Sequence, residues 1–226
     1  MSSSRPDEIA ERAARGWAPL HEVAYHEASH AVIAVLQADR MRPALVKRLR
    51  EDAAFEKAGG FLRAAGQARR KLRNAEQGRC LDAVSVVHGR DVAGRTHTRQ
   101  VESFFDTLDE PTIESAGRAY TLDETTAASA VRVALAGALG QRRFAHRIRG
   151  GGNDRRAAAL MAARLVNEGE SVAPILSRLR RAVGRDLSRP KVARAIHALA
   201  AALMAERRIA GLRAEQLIRA ALMAAV

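Results

Sequence analysis

Apolar residues recur at helical spacing early in the chain, where Val23, Ala24, Ala31, Ala34 and Val35 predict a helix from near His21 to about Gln37. A short helix is expected at 6–16, broken by Gly16 to Leu20, and Arg42-Pro43 is expected to end the second helix. From Ala44 to about Asn74 an Ala/Arg/Leu-rich stretch predicts more helix, interrupted at Gly59-Gly60. The pattern then changes. Leu81-Asp-Ala-Val-Ser-Val-Val-His88 is rich in β-branched residues between Gly78 and Gly89 and predicts a strand, with Gly94 to Thr98 as its partner across a turn at Gly89 to Ala93. The segment 101–122 reads as an irregular excursion around Pro111. Helix is expected again over Thr125 to Ile148, and from a cap at Asn153 to about Asn167. Three further helices are expected in 171–225, broken at Gly184, Pro190 and Gly211. The fold class expected is mainly α with one small β-sheet.

Composition agrees with that picture. Of 226 residues 47% are hydrophobic and only 4% aromatic, which favours helices packed on small side chains. The formal net charge is +13, and almost all the cations are arginines. Residues 40–79 and 142–189 each hold twelve Lys/Arg against four Asp/Glu, whereas 101–124 holds seven acids and one arginine. Such basic faces attract nucleic acid, anionic membranes or acidic proteins. Few aromatic residues interleave with the arginines, only Phe55 and Phe61 in the first stretch and Phe144 in the second, so a single-strand nucleic-acid binder is not expected and solvated helix faces are. Cys80 is the only cysteine, which excludes an internal disulfide and a cysteine-based zinc site. The longest purely apolar run, Ala198 to Ala205, is far short of the ~20 residues that span a bilayer. The N-terminus lacks the shape of a signal peptide, so a soluble, cytoplasmic chain without an integral membrane segment is expected.

The chemistry is concentrated in His26-Glu27-Ala28-Ser29-His30. On a helix, residues four apart share one face, so both imidazoles reach a single cation. Glu27 lies about 100° around the helix from His26, off the metal and within reach of a water on it. Zinc lowers the pKa of such a water towards neutrality, and a carboxylate then takes its proton during attack on a peptide carbonyl. A catalytic zinc needs a third protein ligand. His21 is roughly 140° around the helix from His26 and does not qualify. His88, His97, His146, His197 and downstream carboxylates are candidates; among them Asp154 opens a helix immediately after Gly150-Gly151-Gly152, although an acid at a helix N-terminus is also an ordinary structural choice.

The same residues carry a family resemblance. Ala24-Tyr-His-Glu-Ala-Ser-His-Ala-Val32 resembles the metal helix of FtsH-type AAA+ zinc proteases, which typically reads Ala-Tyr-His-Glu-Ala-Gly-His-Ala. Ala83-Val-Ser-Val-Val-His-Gly-Arg90 followed by Ala93-Gly94 is similar to the family's strand, and Val131-Arg-Val-Ala-Leu-Ala-Gly137 to its helix ending in Gly-Gly-Arg. Gly150-Gly-Gly-Asn-Asp154, with Ala162-Ala-Arg-Leu-Val166 and Gly169, is similar to the block whose Asp is the family's third zinc ligand, and Leu199 to Leu217 to its C-terminal helices. The resemblance covers roughly 21–217 and implies a helical zincin-type metallopeptidase domain over 21–226, after an N-terminal extension at 1–20. It implies zinc held by His26, His30 and Asp154, with Glu27 as general base.

Departures are plain. The sequence holds no Gly-x-x-x-x-Gly-Lys-Ser/Thr loop and no membrane anchor, Ser29 stands for the usual glycine, and Gly140-Gln141 for Ala-Glu. Residues 41–80 exceed the family's connection and read as a helical insertion. The expectation is therefore an ATP-independent zinc endopeptidase acting on unfolded or flexible segments, with an edge strand at Ala83–Val87 or Gly94–Thr98 pairing with the substrate backbone. A separate unfoldase and homo-oligomerisation are partners this reading leaves open. The rivals are a metallopeptidase dedicated to one partner protein and a non-catalytic arginine-rich adaptor, which would bind nucleic acid through 40–79.

Overall fold

The computed structural model describes residues 19–58, 69–74, 76–77, 79–86, 95–98, 124–146, 151–167 and 169–224. They form a mainly helical fold with one small sheet, as the hydrophobic pattern predicts. The expectations for 6–16, Gly59-Gly60, Gly89 to Ala93 and 101–122 lie outside the described residues.

Helix α1 (Leu20–Ala58) is the axis of the structure. From Val23 to Val35 nearly every side chain is buried, including Ala28, Ala31, Val32 and Ile33 at 0% exposure. A helix that is apolar on all sides must be covered on all sides, and α1 is enclosed by helices and sheet. Burying each of Val32, Ile33 and Val35 is worth about 1.5–3 kcal/mol. Contrary to the break expected at Arg42-Pro43, α1 runs on through Pro43 to Ala58. Proline removes its own N–H from the ladder and crowds the carbonyl four residues earlier, at about 3 kcal/mol, and here its ring is exposed. Arg42 and Arg219 both pair with Asp39, one helical turn earlier, and tie this stretch of α1 to the last helix. Residues 69–74 are helical, and Glu76 accepts a 2.7 Å bond from Arg50, which places this segment beside the second half of α1.

Strands β1 (Leu81–Ser85) and β2 (Arg95–Thr98) pair antiparallel, as expected. A third strand, β3 (Arg208–Ala210), went unforeseen because three residues between two helices carry no alternation to read. The sheet order is β2-β1-β3, so β1 is central and β2 is an edge among the described residues. That corrects the Ala83–Val87 candidate for backbone pairing with a substrate: both sides of β1 are already used, and Gly94–Thr98 remains. The start of β1 is held by Glu215, 3% exposed, which accepts the N–H groups of Cys80 at 2.6 Å and Leu81 at 2.8 Å.

Helix α2 (Glu124–Phe144) lies antiparallel along α1, with Ser129 beside Gln37, Val133 beside His30 and Gly140 beside Ser29. The approach is close because the seam is made of small residues. A Cβ on Gly140 would stand 1.8 Å from Ser29 Oγ. Helix α3 (Gly152–Ala162) continues into a 3-10 turn (Ala163–Leu165), shorter as an α-helix than expected, and its cap is Gly151 instead of Asn153. Helix α4 (Ala173–Ser188) passes through Gly184 without the predicted break, since one glycine costs a helix only about 1 kcal/mol. Helix α5 (Pro190–Glu206) begins on the proline, and α6 (Gly211–Met223) follows β3. Among the described residues, no helix is long and apolar enough to cross a membrane.

Candidate metal centre

The burial that makes α1 central also decides the character of its His-Glu-x-x-His segment. His30 is 8% exposed and Glu27 5%, so neither is an ordinary surface polar residue. The two imidazoles stand one turn apart, with Nε2 atoms separated by 3.0 Å. Into the same space α3 delivers Asp154, whose Oδ2 lies 2.9 Å from His26 Nε2 and 3.5 Å from His30 Nε2. Each of the three residues thus offers one ligand atom to a common point, all within 4.8 Å of one another.

The donor set suits a divalent ion of zinc's type. Ligands 2.0–2.1 Å from a tetrahedral zinc stand about 3.3 Å from one another, close to the three separations found. The orientation of His30 is fixed from behind, because its Nδ1–H donates to the Val133 carbonyl at 2.7 Å. That bond selects the tautomer with Nε2 free to coordinate and is the usual second partner of a metal-binding histidine. Space is fixed as well. A Cβ on Gly137 would meet His30 Nε2 at 2.2 Å and His26 Nε2 at 2.5 Å, so α2 needs a glycine where it crosses the two rings.

Asp154 arrives by a specific turn. Gly151 adopts φ 73°, a left-handed conformation natural to glycine, and opens α3 so that the first turn faces α1. The helix N-terminus favours a carboxylate there. The charges reinforce each other. Burial alone would push His30 down, but its hydrogen bond and attraction to Asp154, with Glu27 and the Val133 carbonyl adding, raise it to about 9. Burial alone would push Asp154 up, yet the bonds and charges of His26 and His30 hold it well below the usual carboxylate range.

Glu27 stands outside the ligand group. Thr96 of β2 donates its hydroxyl to Glu27 Oε2 at 2.6 Å, with the Glu27 carbonyl 3.0 Å from the same oxygen. One Glu27 oxygen is therefore anchored to the edge strand. Thr96, Val133 and Gly137 are the parts of the centre that motif reading did not single out. Each left only a trace: Thr96 lies in the expected strand Gly94 to Thr98, and Val133 and Gly137 lie in the segment Val131 to Gly137 that the resemblance singled out.

Three other histidines, His21, His146 and His197, are elsewhere. His21 and His146 are exposed. His197 is exposed and takes the Tyr25 hydroxyl at 2.9 Å, at the edge of Phe144. His97 lies opposite Ala83 in the sheet, and His88 is outside the described residues. Among the described residues, His26, His30 and Asp154 form the one group of three or more His, Cys, Asp or Glu side chains arranged to hold a metal ion. Comparison with protein-family models and with curated proteins gave no match, so the reading of this centre rests on its own residues.

Proposed function

We propose that the chain is a zinc metallopeptidase that cleaves peptide bonds in unfolded or flexible protein segments, with a domain similar to that of FtsH-type proteases. The observation that supports it most is Asp154: a carboxylate far along the chain closes on the two histidines of a His-Glu-x-x-His helix, beside a glutamate that is not a ligand.

His26, His30 and Asp154 would hold the ion. Zinc, when bound, supplies Lewis acidity and makes water nucleophilic near neutral pH. Glu27 takes the proton of the attacking water on its carboxylate as the new C–O bond forms. It then passes that proton to the amide nitrogen as the C–N bond breaks, so the products are a carboxylate and an amine. Thr96 keeps Glu27 turned to its task by occupying Oε2. The edge of β2, Arg95–Thr98, offers backbone groups to an extended substrate beside this glutamate.

The test combines metal content with activity. Wild type should carry about one zinc per chain, as a three-ligand site requires. It should cleave casein faster than a folded protein, and Glu27→Gln should keep its zinc while losing cleavage. A well-folded protein that takes up no zinc after supplementation would overturn this reading and favour the arginine-rich adaptor.

A further inference from the structure

A second constellation lies between α1, α2, the 3-10 turn and α4. It is a cavity of about 440 Å³ with three arginines, Arg40, Arg132 and Arg178, on its walls and no acidic residue among its lining. It is separate from the metal centre. Asp154 stands at the start of α3 while Leu165, which lines the cavity, follows its end, and buried Ala158, Met161 and Ala162 pack between.

Its hydrogen bonds are incomplete in an informative way. Gln37, 3% exposed, accepts at Oε1 from Arg132 Nη1 at 3.1 Å and from Ser129 Oγ at 3.3 Å. Two donors on that oxygen fix the amide's orientation, and its Nε2 then has no acceptor among the described residues. Arg132 Nε is likewise buried without one. Buried donors of this kind are rare and point to a missing partner. Arg40 is satisfied by Asp186 at 2.9 and 3.0 Å, but Arg178 has no ion pair among the described residues. Burial, then Arg40, with Arg178 and Arg185 adding and Asp186 only partly offsetting, pushes the Arg132 guanidinium below its ordinary value, so positive charge here is in excess. The rest of the wall includes Met41, Leu165 and Ile175.

We propose that this cavity binds a small organic oxyanion, a carboxylate or a phosphate, taken by Arg132, Arg178 and the Gln37 amide while an apolar portion lies against Met41, Leu165 and Ile175. Arginine forks and an amide match the acceptor oxygens of either group.

Titration calorimetry of the full chain tests this, using inorganic phosphate in one arm and hexanoate in the other at ionic strength held constant with chloride. Saturable binding of one per chain is expected in at least one arm, and the arm that binds identifies the source. Arg178→Ala, at an exposed position, should weaken it roughly tenfold, and adding Gln37→Leu should abolish it, with zinc content unchanged. Thermal melts would verify that both variants fold. Heats of dilution alone in both arms, or equal affinity in wild type and Arg178→Ala, would overturn the proposal and leave only general attraction of anions to a basic protein.

Discussion

Replacing Gly137 with alanine separates a designed metal centre from a chance meeting of three side chains. The added Cβ would stand 2.2 Å from His30 Nε2 and 2.5 Å from His26 Nε2. Reaching even 3.0 Å requires His30 to retreat by 0.8 Å, the difference between that contact and 2.2 Å. The ring has little freedom to do so, since its Nδ1–H is tied to the Val133 carbonyl at 2.7 Å. Zinc ligation tolerates displacements of about 0.2 Å, so affinity should fall by roughly tenfold to a hundredfold, as when a supporting partner of a ligand is removed. The cost to the fold is smaller. Overpacking costs about 1–3 kcal/mol, and alanine in a helix recovers about 1 kcal/mol relative to glycine. The metal-free variant should then lose only about 0–2 kcal/mol. The assay is competition for zinc against a chromophoric chelator, alongside thermal unfolding of the metal-free protein. A folded Gly137→Ala chain with wild-type zinc affinity would refute the reasoning.

Other outcomes follow from the same geometry. Thr96→Val should leave zinc content intact and lower kcat by about tenfold, less than the roughly hundredfold at the lower end of what a general base contributes, because Glu27 loses its anchor but keeps its carboxylate; unchanged kcat would remove Thr96 from the mechanism. Zinc and protons compete at His30, which is held protonated up to about 9 in the metal-free fold, so zinc affinity should rise as pH rises towards that value and level off above it. Flat affinity from pH 6.5 to 9 would contradict the His30–Asp154 pairing. Gly184→Ala, inside α4 with nothing within 4 Å of an added Cβ, should raise stability by up to about 1 kcal/mol and leave zinc binding untouched, as read by chemical denaturation.

The sequence by itself determined the local parts. Apolar spacing in 23–35 and the valines of 81–88 encode a buried helix and a strand through short-range sterics and periodicity. The four-residue interval between His26 and His30 puts two imidazoles on one face of any helix that contains them. Pro43 and Gly184 show the limit of such reading. A local penalty of about 1 kcal/mol for the glycine, and about 3 for the proline, is smaller than the packing of the long helices that carry them.

What only the tertiary structure decided is which distant groups meet. Asp154 reaches the histidines because α3 packs on α2 and α2 on α1. Resemblance pointed to this residue, while composition and spacing left it among several candidates. Thr96 finds Glu27 because β2 is the edge of the sheet beside α1. Val133 and Gly137 matter only where α2 crosses the two rings. Periodicity repeats over a few residues and records the face a side chain takes on its own element. The opposite face is set by how elements pack, a sum of many weak contacts between segments far apart in the chain.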